Sequence, residues 1–93
     1  MRRLAITVLA AAFAASAGAQ EKPIELKGAP GLEEVQRHCS GCHSLDYIPM
    51  NSPFLDASTW GAEVTKMIRA FGAPVNDGDA KRIVEYLARN YAR

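Results

Sequence analysis

Two cysteines and a histidine fall within five consecutive residues of this chain, in the string Cys39-Ser40-Gly41-Cys42-His43. The chain has 93 residues with 2 Cys and 2 His, so this string contains every cysteine. A length of 93 residues allows one small domain. Any fold built around the string must therefore be small, with no room for a second functional unit.

The N-terminus has the pattern of a secretory signal peptide over residues 1–19. Arg2 and Arg3 precede an apolar run, and the small residues Ala17-Gly18-Ala19 suit a signal peptidase. We predict cleavage after Ala19, a periplasmic location and no membrane span in the mature protein, because the run is too short to cross a bilayer comfortably. An uncleaved membrane anchor is the alternative.

Cleavage there leaves a chain of 74 residues. The hydrophobic core of so small a domain gives marginal stability unless a disulfide, a metal or another bound group adds to it. A disulfide between Cys39 and Cys42 would close a very short loop and stabilise little. We therefore expect the two cysteines to hold a larger group. Lys plus Arg number 11 and Asp plus Glu number 10, so the composition gives no argument for binding nucleic acid.

The mature chain divides into an extended arm over residues 20–30 and a folded domain over residues 31–93. A first short helix is predicted from Gly31 to about Cys39. Residues 44–56 are rich in proline and polar residues, so we expect a loop without regular helix there.

Two longer helices follow. The second is predicted to begin near Ser58 or Thr59, either of which can cap it, and to end at Gly72. It carries one apolar stripe, formed by Trp60, Val64, Met67, Ile68 and Phe71. The third begins at Asn76 or Asp77 and ends near Tyr91, with a stripe formed by Ala80, Ile83, Val84, Leu87 and Tyr91. No segment shows sustained alternation, so the pattern predicts an all-α domain.

The string at residues 39–43 has the form C-x-x-C-H, the attachment signature of c-type haem. Two thiols three positions apart on a tight turn can each bond one vinyl-derived carbon of a porphyrin, and the next residue brings an imidazole to the iron. We therefore predict one haem c, attached through Cys39 and Cys42, with His43 as an iron ligand.

Other interpretations of the string are weaker. A structural disulfide does not need the adjacent histidine, and a thioredoxin-like redox pair needs a βαβ pattern that is not visible. A zinc site needs about four ligands, and the only other histidine is His38.

The domain resembles class I cytochromes c over residues 31–93. The resemblance rests on Gly31 and Val35, the C-x-x-C-H string, a Pro-x-Leu element and a C-terminal amphipathic helix. It implies a small fold of three to four helices wrapped around one covalently attached haem. It also implies that the first and last helices cross at Gly31, where Tyr86 supplies the aromatic residue of the family.

The same resemblance assigns roles to Pro53 and Leu55, in the string Ser52-Pro53-Phe54-Leu55. It implies that the carbonyl of Pro53 accepts a hydrogen bond from the outer ring N–H of His43 and that Leu55 packs on the haem. Such a bond orients the ligand and raises its basicity.

Met67 and Met50 are the candidates for the sixth iron ligand. Met50 lies only seven residues after His43 and before Pro53, so a path around the ring and back is short. Met67 lies on the apolar stripe of a helix that can cover the haem, and we expect it to be the ligand. His/Met ligation favours ferrous iron and raises the potential. An iron with an open sixth position remains an alternative.

Trp60 has two interpretations. It anchors the second helix in the core, or it donates its indole N–H to a haem propionate. Tyr47 has the same two interpretations, and His38 is expected to be an exposed helix residue beside the haem.

A closer resemblance covers the stretch from His43 to Pro74 and the C-terminal Tyr86-Leu87-Ala88-Arg89-Asn90-Tyr91. Both look like the small cytochrome subunit of bacterial sulfite dehydrogenases. In that group a molybdenum-containing subunit oxidises sulfite, and the cytochrome accepts the electrons one at a time.

These features predict a periplasmic electron-transfer protein that is not itself an enzyme. The implied donor is a dehydrogenase subunit, and the implied acceptor is a downstream cytochrome c or an oxidase. The alternatives are a haem-based gas-binding or sensing module with an open iron and a small peroxidase. The peroxidase needs an acid–base group over the iron, and the apolar stripe around Met67 argues against it.

Overall fold

The computed structural model describes residues 24–93, and they form four α-helices. In chain order these are α1 (Leu32–Cys39), α2 (Tyr47–Asn51), α3 (Ala57–Arg69) and α4 (Asp77–Asn90). No strand occurs anywhere in this range, so the all-α prediction is confirmed for it.

The predicted signal peptide, residues 1–19, and the start of the arm, residues 20–23, lie outside the described residues. Among residues 24–93, none of the helices has the length and apolar character needed to cross a membrane.

Helix α4 is the element on which the others assemble, since α1 and α3 both pack against it. Eight apolar or aromatic residues are buried together, at 7% exposed or less. They are Leu26, Val35, Ile48, Trp60, Ile83, Tyr86, Leu87 and Tyr91. Four of these eight come from α4 or the residue after it, which places the centre of the core along that helix.

The first and last helices cross at Gly31, as the resemblance implies. Gly31 caps α1 with a φ of 99°, in the left-handed region that favours glycine. A Cβ added to Gly31 would lie 2.8 Å from the carbonyl oxygen of Arg82 and 2.8 Å from Cβ of Tyr86. Val35, one turn further along α1, is completely buried. The crossing is close because no side chain separates the two backbones.

The prediction of a loop over residues 44–56 is wrong in part, because α2 lies inside it. Pro49 occupies the first turn of this helix, where a backbone N–H has no intrahelical partner and its absence costs nothing. Ile48 is 3% exposed and fixes the short helix against the core.

The predicted cap of α3 is also wrong by two or three residues. The N-cap is Asp56, whose Oδ1 accepts hydrogen bonds from the backbone N–H and the hydroxyl of Thr59 at 2.8 Å each. These bonds hold the pKa of Asp56 below its ordinary value. Helix α4 begins as predicted, with Asn76 Oδ1 accepting from the backbone N–H of Asp79 at 2.8 Å.

Helix α3 ends at Arg69, three residues before Gly72. The backbone N–H of Ala73 donates to the carbonyl of Met67 at 3.0 Å, across Gly72, which has a φ of 70°. Gly72 therefore turns the chain away from the helix, as the sequence indicates, although the last helical residue comes earlier.

The described part of the arm, residues 24–30, forms no helix or strand and is docked on the end of α4. The carbonyl of Lys27 accepts from the hydroxyl of Tyr86 at 2.6 Å, and its backbone N–H donates to the hydroxyl of Tyr91 at 2.9 Å. Burial beside Tyr91 raises the pKa of Tyr86 to about 12, so its hydroxyl stays a donor. Leu26 is 7% exposed. The packed part of the chain therefore begins before Gly31.

Candidate functional site

An apolar cleft of about 450 Å³ opens between the end of α1 and the second half of α3. Its volume lies in the range of small-molecule and cofactor pockets, about 300–1,000 Å³. Its walls are formed by His38, Cys39, Cys42, His43, Val64, Met67, Ile68, Phe71, Ala73, Val75 and Ile83. The structure thus brings both cysteines, His43 and Met67 to one cleft.

Local structure explains how the thiols and the imidazole reach the cleft. Cys39 is the last residue of α1, and the chain leaves the helix in turns through Ser40 and Gly41. Gly41 has open space where a side chain would be, so the backbone can approach a bound group there. Because Gly31 fixes α1 on α4, the position of this turn is set by the helix crossing.

The apolar stripe of α3 is divided between the core and the cleft. Trp60 is 2% exposed and belongs to the core. The next members, Val64, Met67 and Ile68, are only partly buried, and Phe71 is 72% exposed. All four line the cleft. This half of the stripe therefore forms one apolar wall of the cleft. Such a wall suits a cofactor with a large apolar face.

His43 is exposed, and its one hydrogen bond within residues 24–93 leaves the second ring nitrogen free. Its Nδ1 lies 2.9 Å from the carbonyl oxygen of Ser44, which can only accept, so Nδ1 carries the hydrogen. The other nitrogen, Nε2, is then left with a lone pair for a metal. The ring centroid lies 5.5 Å from that of Tyr47, with the two planes tilted by 48°.

The carbonyl that accepts the hydrogen bond from Nδ1 of His43 belongs to Ser44, whereas the resemblance implies the carbonyl of Pro53. Pro53 is exposed, and neither Pro53 nor Leu55 lines the cleft. Leu55 is partly buried against the core, and its carbonyl accepts from the backbone N–H of Arg93 at 2.8 Å. In this structure Ser44, adjacent in sequence to His43, orients the imidazole in place of Pro53.

The two thiols differ in environment and are not joined to each other. Cys39 is partly buried, and burial raises the pKa of its thiol. Cys42 is exposed. Two free thiols on one apolar wall suit a group that is bonded through both sulfur atoms.

The two candidate methionines are placed very differently. Met67 is partly buried and lines the cleft together with His43. Met50 is 69% exposed and contributes to neither cleft wall. Only Met67 shares a cavity with the thiols and the imidazole.

Trp60 anchors α3 and α4 to each other. Its indole N–H donates to the carbonyl of Tyr91 at 2.9 Å in a buried bond. The donor that the sequence offered to a haem propionate is therefore already bonded within the protein. Trp60 also lines a second, smaller cleft of about 40 Å³, which it shares with His43, Tyr47 and Met67.

One group of charged residues beside the cleft is absent from the sequence-based predictions. His38, expected to be exposed, has a side chain only 15% exposed, and its Nε2 lies 2.9 Å from Oδ2 of Asp79. Arg37 and Arg82 also bond Asp79. Asp79 lies 41 or more positions from His38 and Arg37, so no local pattern pairs them.

The donor set of the cleft fits a haem. The imidazole of His43 and the thioether of Met67 are donor types that c-type cytochromes present to haem iron, and the two would hold the iron here. Among residues 24–93, no group of three or more His, Cys, Asp or Glu residues could hold a bare metal ion.

Comparison with known proteins adds no assignment. Neither a scan against protein-family models nor a search of the curated proteins finds a match to this chain.

Proposed function

We propose that this chain is a periplasmic monohaem c-type cytochrome of the class I type, which carries single electrons. The observation that supports the proposal is the convergence of Cys39, Cys42, His43 and Met67 on one apolar cleft of about 450 Å³. The C-x-x-C-H string indicates haem as the cofactor, and the volume of the cleft lies in the range of cofactor pockets.

The chain's own residues divide the work of holding the haem. Cys39 and Cys42 would each form a thioether bond to it, and Nε2 of His43 and the sulfur of Met67 would be the axial donors. The Ser44 carbonyl keeps the hydrogen of His43 on Nδ1, which leaves Nε2 free to bind. When bound, the haem supplies a one-electron couple between ferric and ferrous iron.

The apolar lining would place uncharged side chains against the haem. Val64, Ile68 and Phe71 border the cleft without a charged group among them. An apolar surrounding together with a methionine ligand favours the ferrous form and raises the potential. The site is suited to accepting electrons from a reductant of lower potential.

The resemblance to the cytochrome subunit of sulfite dehydrogenases gives the proposal a sharper form. The electron donor would be a periplasmic, molybdenum-containing dehydrogenase subunit, and the acceptor a downstream cytochrome c or an oxidase. Stopped-flow mixing of the haem-loaded protein with a purified, reduced molybdenum-containing sulfite dehydrogenase subunit tests this form, and failure to accept electrons from it contradicts the sharper form alone.

Substitution Met67→Ala tests the axial ligand. We expect the ferric wild-type protein to show the weak long-wavelength absorption band of a sulfur–iron bond, and Met67→Ala to lose that band and to lower the midpoint potential. Visible spectra and a redox titration measure both effects. Met50→Ala is the matched control and should keep the band, since Met50 is 69% exposed and outside the cleft.

Three results would contradict the proposal in part or as a whole. Persistence of the band in Met67→Ala would exclude Met67 as the ligand. Fast binding of carbon monoxide by the ferrous wild-type protein would indicate an open iron and would favour the gas-binding alternative. Loss of the haem on acid–acetone extraction would show that no thioether bonds form and would overturn the proposal as a whole.

A further inference from the structure

Asp79, in the first turn of α4, is the only buried charged residue within the described range, at 8% exposed. Its carboxylate accepts from Nη2 of Arg37 and from the ring of His38 at 2.9 Å each, and from Nη1 of Arg82 at 3.2 Å. Asn76 donates to it at 3.3 Å. The bonds from His38 and Arg37 hold the pKa of Asp79 below its ordinary value of 3.8, so its carboxylate is charged at neutral pH.

This charged carboxylate fixes the hydrogen of the His38 ring. Because the carboxylate only accepts hydrogen bonds, Nε2 of His38 must donate and therefore carries the hydrogen of the neutral ring. Nδ1 makes no hydrogen bond to any residue between 24 and 93. A proton can thus be added to the ring at Nδ1 without breaking the bond to Asp79.

The His38 ring also borders the proposed haem. It is directly before Cys39 in the chain and lines the same cleft as both thiols. Its side chain is 15% exposed, which leaves a route for a proton from solvent. Histidine is the side chain whose charge ordinarily changes between about pH 5 and 8.

We infer that His38 is a redox-linked proton site: when one electron enters the iron, Nδ1 of His38 binds a proton from solvent more tightly, so the average protonation of the ring rises, and it falls again when the electron leaves. This inference rests on the proposed function. The step consumes one electron from the donor and, averaged over the molecules, a fraction of a proton from water, and no bond between heavy atoms forms or breaks.

The coupling follows from charge. Reduction removes one positive charge from the cleft, so a positive charge on His38 becomes less unfavourable. The charged groups that face the ring are Asp79 and Arg82 on α4 and Arg37 on α1. The side chains that α3 and residues 73–75 contribute to this cleft are apolar, so they neither screen nor replace this interaction.

The direct measurement uses the unaltered haem-loaded protein. The ring signals of His38 are followed by NMR as a function of pH in the ferric and ferrous states. We expect His38 to bind its proton several-fold more tightly in the ferrous state. Equal titration in the two states would overturn the inference, and this experiment depends on no variant folding correctly.

A second measurement compares the midpoint potential with pH in three proteins. In the wild type the potential should rise as the pH falls through the range where His38 titrates. In His38→Gln, whose side-chain amide can still donate to Asp79, that part of the slope should be absent. In Arg37→Gln, which removes a different bond to Asp79 and keeps the imidazole, the slope should remain.

The outcomes separate this inference from the proposed function. A protein without attached haem or without a reversible one-electron couple would overturn both. A reversible couple with the same pH dependence in the wild type and His38→Gln would overturn the redox-linked site and leave the electron carrier standing. The pH dependence of the potential that remains in His38→Gln comes from other titrating groups. The difference in pH dependence between the wild type and His38→Gln gives the contribution of His38.

Discussion

Among single residues, Gly31 combines a left-handed backbone conformation with a position so close to α4 that a side chain has no space. Its φ of 99° is in the left-handed region, and α4 lies where a side chain would point. The crossing of α1 and α4 that results fixes the end of α1, and with it Cys39. A residue far from the cleft therefore determines where the thiols lie.

Substitution Gly31→Ala should lower the free energy of unfolding by about 2–4 kcal/mol. The added Cβ would meet the Arg82 carbonyl and Cβ of Tyr86 at 2.8 Å each, and an alanine at this φ is strained. Denaturant unfolding of the haem-loaded protein measures the loss. Gly28→Ala is the control, since nothing lies within 4 Å of its Cβ. Equal stability of the two variants would contradict the steric argument.

At the scale of elements, apolar spacing predicts α1, α3 and α4 because each helix buries one stripe. The same reasoning misses α2, because a proline in a first turn looks identical in sequence to a proline in a loop. It also does not predict that the arm docks on α4, because the residues that the arm bonds lie 59 to 64 positions away in the chain. Contacts of that separation leave no periodic signal.

The arm should stabilise the fold through Leu26. We expect Leu26→Ala to lower the free energy of unfolding by about 2–3 kcal/mol, since the side chain is 7% exposed and belongs to the core. Ile24→Ala is the matched control within the same segment and should have an effect of about 0.5 kcal/mol or less, because Ile24 is 42% exposed. Thermal or denaturant unfolding compares the two. An arm that contributed nothing would leave both variants as stable as the wild type.

At the scale of the whole molecule, the fold has two apolar interiors, one filled by side chains and one left as a cleft. The C-x-x-C-H string and the α3 stripe identify most of the residues that line the cleft from sequence alone, because both are local patterns. The bond from Trp60 to Tyr91 and the bond from His38 to Asp79 are not predictable in this way. They join elements whose approach depends on how α1 and α3 pack on α4.

The cleft makes the stability of the domain depend on its proposed cofactor. We expect Cys42→Ala and His43→Ala, which impair attachment or ligation of the haem, to leave the mature chain largely unfolded or degraded. The apolar walls of a cleft of about 450 Å³ would otherwise face water. Far-ultraviolet circular dichroism of the purified variants measures this, with Met50→Ala as a variant that should retain the helices. A haem-free chain with native helicity would contradict the prediction.

The docking of the arm also bears on how long the folded state persists. Its bonds to Tyr86, Asn90 and Tyr91 close loops of 59 to 64 positions, so their formation carries a larger entropy cost than any bond within a helix. We expect contacts with this entropy cost to form after the rate-limiting step of folding and to break before the rest of the structure opens. We therefore expect the arm to slow the unfolding of the domain while leaving the rate at which it folds almost unchanged, so that it prolongs the lifetime of the folded state.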